Sequence, residues 1–393
     1  MNSINSIDNE VFNITKVQVR VLEPVKALIP FEDSTMGPFK VFTIAVITLT
    51  DEDGNIGEAP VFSGYTNILE NCILPILFNS HNLPYKKLYP KLYWPIRNEG
   101  FRGPASALLG QLDMALYDLA SRRKKMPLHK YLNATRDYAM MYGSGGGTNY
   151  SYSDLEKEIS YFLGCGIDCI KMKVGKDHGT KMKEDIERVK FVRKLIGNDV
   201  RLAVDANQIW SVEEALHFVD AIGSEKIAWF EEPIHSATLT DIQQLCKESP
   251  VSIAFGESER SGKVFPALVK VGVTHLQPIP NYLSSIKEWL EVRDLAVGHG
   301  IEFSSGGYSL YTSSLMATTP EKFRVEYLYT LMSVLEPYFS VRPKLEKGRF
   351  VLPDIEGLPI RIDWGYWEQK NKVISKKSWT AEESIKYRPS VLL

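Results

Sequence analysis

RLAVDANQIW (201–210), IAWFEEPI (227–234) and VSIAFGES (251–258) are three short runs of apolar, β-branched and aromatic residues. Each ends in a carboxylate: Asp205, then Glu231 or its neighbour Glu232, then Glu257. The steps are 231 − 205 = 26 and 257 − 231 = 26 residues, the length of one strand, one helix and two loops. Parallel strands bring their C-terminal ends to one edge, so carboxylates at the same point of three successive strands converge. A lone acidic residue there would be explained as the cap of the next helix. Three in equal register, one preceded by Gly256 and one followed by Pro233, ask for a cation between them. Ligands that are all oxygen suit Mg²⁺ rather than Zn²⁺.

Outward from this stretch the same alternation continues. AMMYGSGG, DCIKMKVG (168–175), LAVDAN, IAWFEEP, SIAFGES, THLQP, IEFSSGG and FRVEYL read as eight strands separated by helical patterns. Their spacing predicts a modified (β/α)₈ barrel at 136–330. Upstream, 1–135 reads as an α+β capping domain. Its strands are Ile14–Leu22, Phe39–Thr50 and IGEAP, and its helices run from Asn67 to about Asn79 and, amphipathically, across Ala107–Arg123. Residues 1–12 read as loose. The segment VKALIPFEDSTMGPF (25–39) reads as a loop. Its Leu28, Ile29, Phe31, Met36 and Phe39 suit either packing or a lid that meets a ligand. APVFSGY (59–65) has the same character. The tail, 331–393, reads as a segment returning to the cap.

At 393 residues the chain is too long for one simple core, as a barrel of roughly 250 residues plus a cap would require. A net charge of −2 gives no electrostatic case for nucleic acid or an anionic membrane. Cys72, Cys165, Cys169 and Cys246 make neither a disulfide framework nor a metal site. No run approaches the ~20 apolar residues of a spanning helix, so the cytoplasm is the expected location. GSGGG (143–147) lacks the Lys-Ser/Thr ending of a phosphate loop.

On the second barrel strand, period two turns Lys171 and Lys173 inward and Met172 outward. Mutual repulsion and partial burial are expected to lower a lysine's pKa and make it usable as a base. A base beside Mg²⁺ suggests one reaction class: the metal grips a substrate carboxylate, the lysine removes the α-proton, and the metal stabilises the enediolate.

The cap, the eight βα units, KMK (171–173), DAN (205–207), FEEP (230–233) and GES (256–258) resemble the enolase superfamily. In that superfamily a lysine or histidine base works beside Mg²⁺. LQP (276–278), AVGHG (296–300) and VEYL (325–328) resemble its mandelate racemase/muconate lactonizing enzyme-like branch. The resemblance implies Mg²⁺ held by Asp205, Glu231 and Glu257, with Glu231 chosen over Glu232 because related enzymes use the Glu two before Pro. It implies Lys173 as base and Lys171 as its partner in binding the carboxylate. It also implies Asn207 near the metal and Glu326 as a hydrogen-bonding acid. Small carboxylate substrates and a homo-oligomer are implied as well.

The chain departs from the branch on the opposite face of the substrate. Ile279 stands where an Asp is usual, and Ser305-Gly306-Gly307 lacks the usual His. The strand 6 end also has no second lysine. His275 lies at the wrong end of its strand, and His299 precedes strand 7. Tyr308 and Tyr142 are candidate proton donors, with packing as the plainer role. Arg260 and Asn207 are candidates for binding hydroxyls, and Phe31 for contacting substrate. The expectation is an acid-sugar or hydroxy-acid dehydratase. The alternatives are a racemase, epimerase or cycloisomerase on a less polar carboxylate, or a metal-binding homologue without catalysis.

Overall fold

The computed structural model describes residues 7–384. Eight parallel strands, Tyr138–Gly145, Cys169–Lys173, Arg201–Asp205, Ile227–Glu231, Ile253–Phe255, His275–Leu276, Glu302–Ser305 and Arg324–Leu328, lie side by side in chain order. The eighth pairs with the first, Val325 beside Met141 and Leu328 beside Ser144, and closes a barrel. The register explains the convergence: Lys173 lies beside Asp205, and Asp205 beside Glu231. Ala254 also pairs with Glu231, which puts Glu257 just past the end of its strand. The helices between are locally encoded. Ser151 with Asp154, and Ser211 with Glu214, form reciprocal capping boxes that start the helices at Tyr152 and Val212.

A second, antiparallel sheet forms the cap, with Ile14–Leu22 between Ala45–Asp51 and the tail strand Val373–Thr380, and Ile56–Pro60 at its edge. The tail also serves the barrel, because Arg349–Val351 pairs antiparallel with the first barrel strand.

The helix Pro104–Arg123 is buried from Ala105 to Ser121 on every face rather than on one, as amphipathic patterning had suggested. The cap sheet lies on one side and the barrel on the other. A Cβ at Gly57 would fall 2.2 Å from the Ala115 carbonyl oxygen, and one at Gly110 would fall 1.7 Å from that of Leu283. Its buried polar residues join the layers. Gln111 accepts from the Phe62 amide at 2.8 Å and donates to the Asn281 carbonyl at 2.9 Å. Asp118 accepts from the amides of Glu58 and Leu358.

Four upstream expectations change. Residues 1–6 lie outside the described residues, but 7–12 are docked: Ile7 and Phe12 are buried, and Val11 bridges to Pro84. The segment read as a loop is a hairpin, Val25–Phe31 against Phe39–Phe42. The single strand expected over 39–50 is therefore two, the first serving this hairpin and the second the cap sheet. The helix expected over 67–79 is broken by a π turn at Leu69–Ile73. Among the described residues no helix is long and apolar enough to cross a membrane.

Candidate active site

The C-terminal ends of the barrel strands and the hairpin enclose a cavity of about 580 Å³. Lys173, Asn207, Glu257 and Glu326 line its floor, and Phe31, Arg260 and Tyr308 its walls. Asp205 and Glu231 lie fully buried just beneath. Oxygen atoms of Asp205, Glu231 and Glu257 all fall within 4.8 Å of one another.

The two lysines are threaded among these carboxylates. Lys173 Nζ donates to Asp205 Oδ2 at 2.5 Å. Lys171 is bonded to Glu231 and lies 3.0 Å from both Asp205 and Glu326. Glu231 also accepts from Gln277 Nε2 at 2.5 Å and from the Trp229 indole at 3.1 Å. Trp229 precedes Glu231 by two residues and so shares its inward face. Sequence reasoning missed both donors, although the two-residue spacing was legible for Trp229. Glu232 turns away: its backbone has φ +37, and its carboxylate accepts from Gln208 and Ser258. The acidic trio therefore contains Glu231 and not Glu232.

Electrostatics here differ from expectation. Burial works to lower both lysines. The carboxylates overcome it, Glu231 and Glu326 around Lys171 and Asp205 beside Lys173, and both stand above the ordinary lysine value. The predicted lowering counted the repulsion between the lysines and left out the acids around them. Against burial, Lys173 and Lys171 hold Asp205 well below the usual carboxylate range. Glu231 is driven up by burial and then by Asp205. Glu257 is pushed up to about 8, by burial first and then by Asp205 against the pull of Lys173.

With all four carboxylates (Asp205, Glu231, Glu257, Glu326) ionised around the two ammonium groups (Lys171, Lys173), 4 − 2 would leave a surplus of two negative charges, and burial together with that crowding of acids is what drives Glu231 and Glu257 up. A divalent cation matches that surplus, and an all-oxygen donor set suits a hard one. Asn207 adds a further oxygen. Its backbone takes φ +42, its Nδ2 donates to Glu257 at 3.1 Å, and its buried Oδ1 has no hydrogen-bond partner. The residues present fit Mg²⁺.

At the end of the seventh barrel strand two glycines leave the wall without side chains. A Cβ on Gly306 would lie 2.2 Å from Glu326 Oε2. One on Gly307, at φ +83, would lie 2.7 Å from Asn281 Oδ1 and 2.8 Å from Ile279 Cγ2. Tyr308 lines the wall beside them, its hydroxyl pushed up to about 12 by burial and then by Tyr282. Tyr142 is instead packed inside the barrel, edge-on to Trp229, with Lys171 Nζ 5.7 Å from its ring centre. His275 is buried against Trp229 and paired with Ser304 at 2.9 Å, away from the cavity. Arg260 stacks 3.8 Å over Tyr282 and donates to the Ser258 carbonyl.

Residues 155–366 match the family model described as enolase C-terminal domain-like. The chain belongs to this family. Within the enolase superfamily it is similar to the arabinonate dehydratase of Saccharolobus solfataricus, at 30% identity over 77% of this chain and 82% of that one. It is also 27% identical to the 3,6-anhydro-alpha-L-galactonate cycloisomerase of Streptomyces coelicolor, over 84% of this chain and 92% of the relative. Among solved structures, the L-talarate dehydratase of Polaromonas sp. JS666, complexed with Mg and L-glucarate, superposes with a TM-score of 0.80. It is 25% identical and covers 94% of this chain and 99% of its own. The solved relative shares this fold, and the three are by name two dehydratases and a cycloisomerase, enzymes of lyase or isomerase type.

Proposed function

We propose that this chain is a Mg²⁺-dependent enolising dehydratase acting on a hydroxylated carboxylate, with Lys173 as the base. The observation that carries the reading is the adjacency of Lys173 to the acidic trio on the floor of one cavity. Asp205, Glu231 and Glu257 would hold the metal, with Asn207 beside it. Bound there, Mg²⁺ would grip the substrate carboxylate and offset the negative charge that develops as the α-proton leaves.

With the charge of Asp205 and its neighbours taken up by the metal, Lys173 would be free to give up its own proton and take the α-proton, so the C2–H bond breaks. Lys173 returns that proton to the β-hydroxyl as the C3–O bond breaks and water leaves, and the enol gains a solvent proton at C3 while its hydroxyl proton goes to solvent, giving the 2-oxo acid. Lys171, held by Glu231 and Glu326, orients the carboxylate and keeps positive charge beside Lys173. Mg²⁺ in the structural relative and dehydration in the sequence relative support the reading.

The test is α-proton exchange in D₂O with Mg²⁺, over a pool of sugar acids, hydroxy acids and N-acyl amino acids, with 2-oxo acid formation followed in parallel. Exchange with one component, absent in Lys173→Ala, is the expected result. A folded, Mg²⁺-binding protein that exchanges nothing across the pool would overturn it and favour a homologue without catalysis. A cycloisomerase is the second reading. It is favoured by the side-chain-free wall at Gly306 and Gly307, which leaves one base, and by the cycloisomerase relative. Its product would keep the substrate's mass, whereas the dehydratase product lacks one water.

A further inference from the structure

We infer that the substrate of this site carries an apolar arm, an aryl ring or branched alkyl group attached beyond the reacting carbons, that packs under the hairpin. The inference rests on the reading of Lys173 as an enolising base and narrows its substrate class.

The cavity has two unlike ends. Its floor holds the lysine and the carboxylates. Its upper wall is Phe31, Phe39 and Phe42 from the hairpin, Phe62 from the adjoining cap loop, Leu328 at the end of the last barrel strand and Leu331 in the helix after it. Among the cavity-lining hairpin residues, Met36 and Val41 are 61% and 51% exposed, apolar surface still to be covered. At about 580 Å³ the space has room beyond the reacting carbons for a further group.

Along the hairpin side of that wall Asp33, Thr43 and Ser258 are already engaged within the protein, whereas Asn281, Tyr282 and Tyr308, on the barrel loops, keep polar atoms for the reacting end of the substrate. Asp33 Oδ1 accepts from the Thr35 amide and hydroxyl and from the Met36 amide. The Thr43 hydroxyl donates to the Leu22 carbonyl at 2.5 Å. The Ser258 hydroxyl is shared between Glu232 and Gln208. Arg260 stacks on Tyr282 and spends one nitrogen, Nη1, on the Ser258 carbonyl. A chain of hydroxyls laid along this wall would give up its water for phenylalanine and leucine, and unpaired buried hydroxyls are disfavoured. An apolar arm gains from the same burial.

The test uses two probes that share C1–C3: 2,3-dihydroxy-3-phenylpropanoate and threonate, each as both diastereomers, with galactarate as a polyol reference. In dehydration both lose the C2 hydrogen and C3 hydroxyl, giving 3-phenyl-2-oxopropanoate from the first. Mg²⁺-loaded Lys173→Ala, which cannot turn the acids over, is titrated with each probe by calorimetry, and kcat/KM is measured on the wild type. The phenyl acid is expected to bind and react better by at least about tenfold. Phe42→Ser and Leu331→Thr, on separate elements and checked for folding by thermal melts, should each pull that ratio toward one.

Preference for threonate or galactarate in binding would overturn the apolar arm and leave the lysine-base reading standing. Preferential binding of the phenyl acid without exchange or turnover of any probe would support the arm and count against the base. Equal binding of all probes would overturn the arm.

Discussion

The two ends of the cavity are built by different means. At the floor, Lys173, Asp205 and Glu231 sit on three neighbouring strands in one register, and Glu231 alone has three donors. Strands hydrogen-bonded on both sides cannot slide, so charges converge there with little freedom. At the roof, the apolar side chains sit on a two-stranded hairpin with few polar ties. Ser34 Oγ donates to the Ala206 carbonyl at 2.5 Å, and Thr148 binds the Glu32 and Asp33 carbonyls. On the proposed reading, reaction chemistry belongs to the rigid end and substrate choice to the end less bound into the barrel.

The comparison can be broken most directly at the floor. Lys173→Ala should reduce α-proton exchange by roughly 10²–10⁴-fold, read by mass or NMR in D₂O, with the apolar roof intact. Retained exchange would mean that the base lies elsewhere. Asp205→Asn should weaken Mg²⁺ binding by more than the roughly 10–100-fold typical of outer partners, measured by titration calorimetry. Chelation should likewise abolish activity, and added Mg²⁺ restore it.

Gln277→Leu sharpens the contrast, because it removes a donor that never reaches the cavity. Mg²⁺ affinity should fall by about tenfold with substrate preference unchanged. At the roof, Ser34→Ala removes one anchor of the hairpin. A raised KM, by about fivefold, with a smaller change in kcat is expected if the hairpin serves binding. An equal fall in kcat and kcat/KM would blur the division.

The smallest effect concerns the background stability against which both ends are measured. Glu158 accepts from the Gly146 amide, and burial, opposed by that bond and by Arg188, pushes it up to about 8. The folded chain thus keeps a proton that the unfolded chain loses near pH 4. The stability Glu158 lends is complete below that pH and drains away as pH rises toward 8. Asp113, pushed up to about 7 by burial, acts in the same direction. Glu158→Gln should flatten the decline in Tm between pH 5 and 8.5 by roughly a few degrees, as read by thermal melts.

What was legible in the sequence follows the same division. The equal spacing of Asp205, Glu231 and Glu257 and the Lys171–Lys173 pair could be read because strand period and βα length are short-range regularities. The hairpin could not. VKALIPF carries Pro30 and no clear alternation, and it is a strand only because FKVF pairs with it. The full burial of Pro104–Arg123 depends on two layers distant in sequence. Gln277 reaches Glu231 only across the barrel interior, and the direction of the lysine shifts depends on four acids brought together by the fold. Each of these is a tertiary fact that no local pattern records.

The bare wall at Gly306 and Gly307 also bears on how such an enzyme can change by descent. A histidine at 306 meets Glu326, and one at 307 meets Ile279 and Asn281 in a backbone conformation that disfavours any side chain. The two positions are therefore unequal. At 306 the obstacle is the tip of a carboxylate that can swing aside, though moving it disturbs one of the three acidic neighbours of Lys171. At 307 the backbone itself resists a side chain, so a second base is reached at 306 before 307, and at the expense of the charge balance around Lys171.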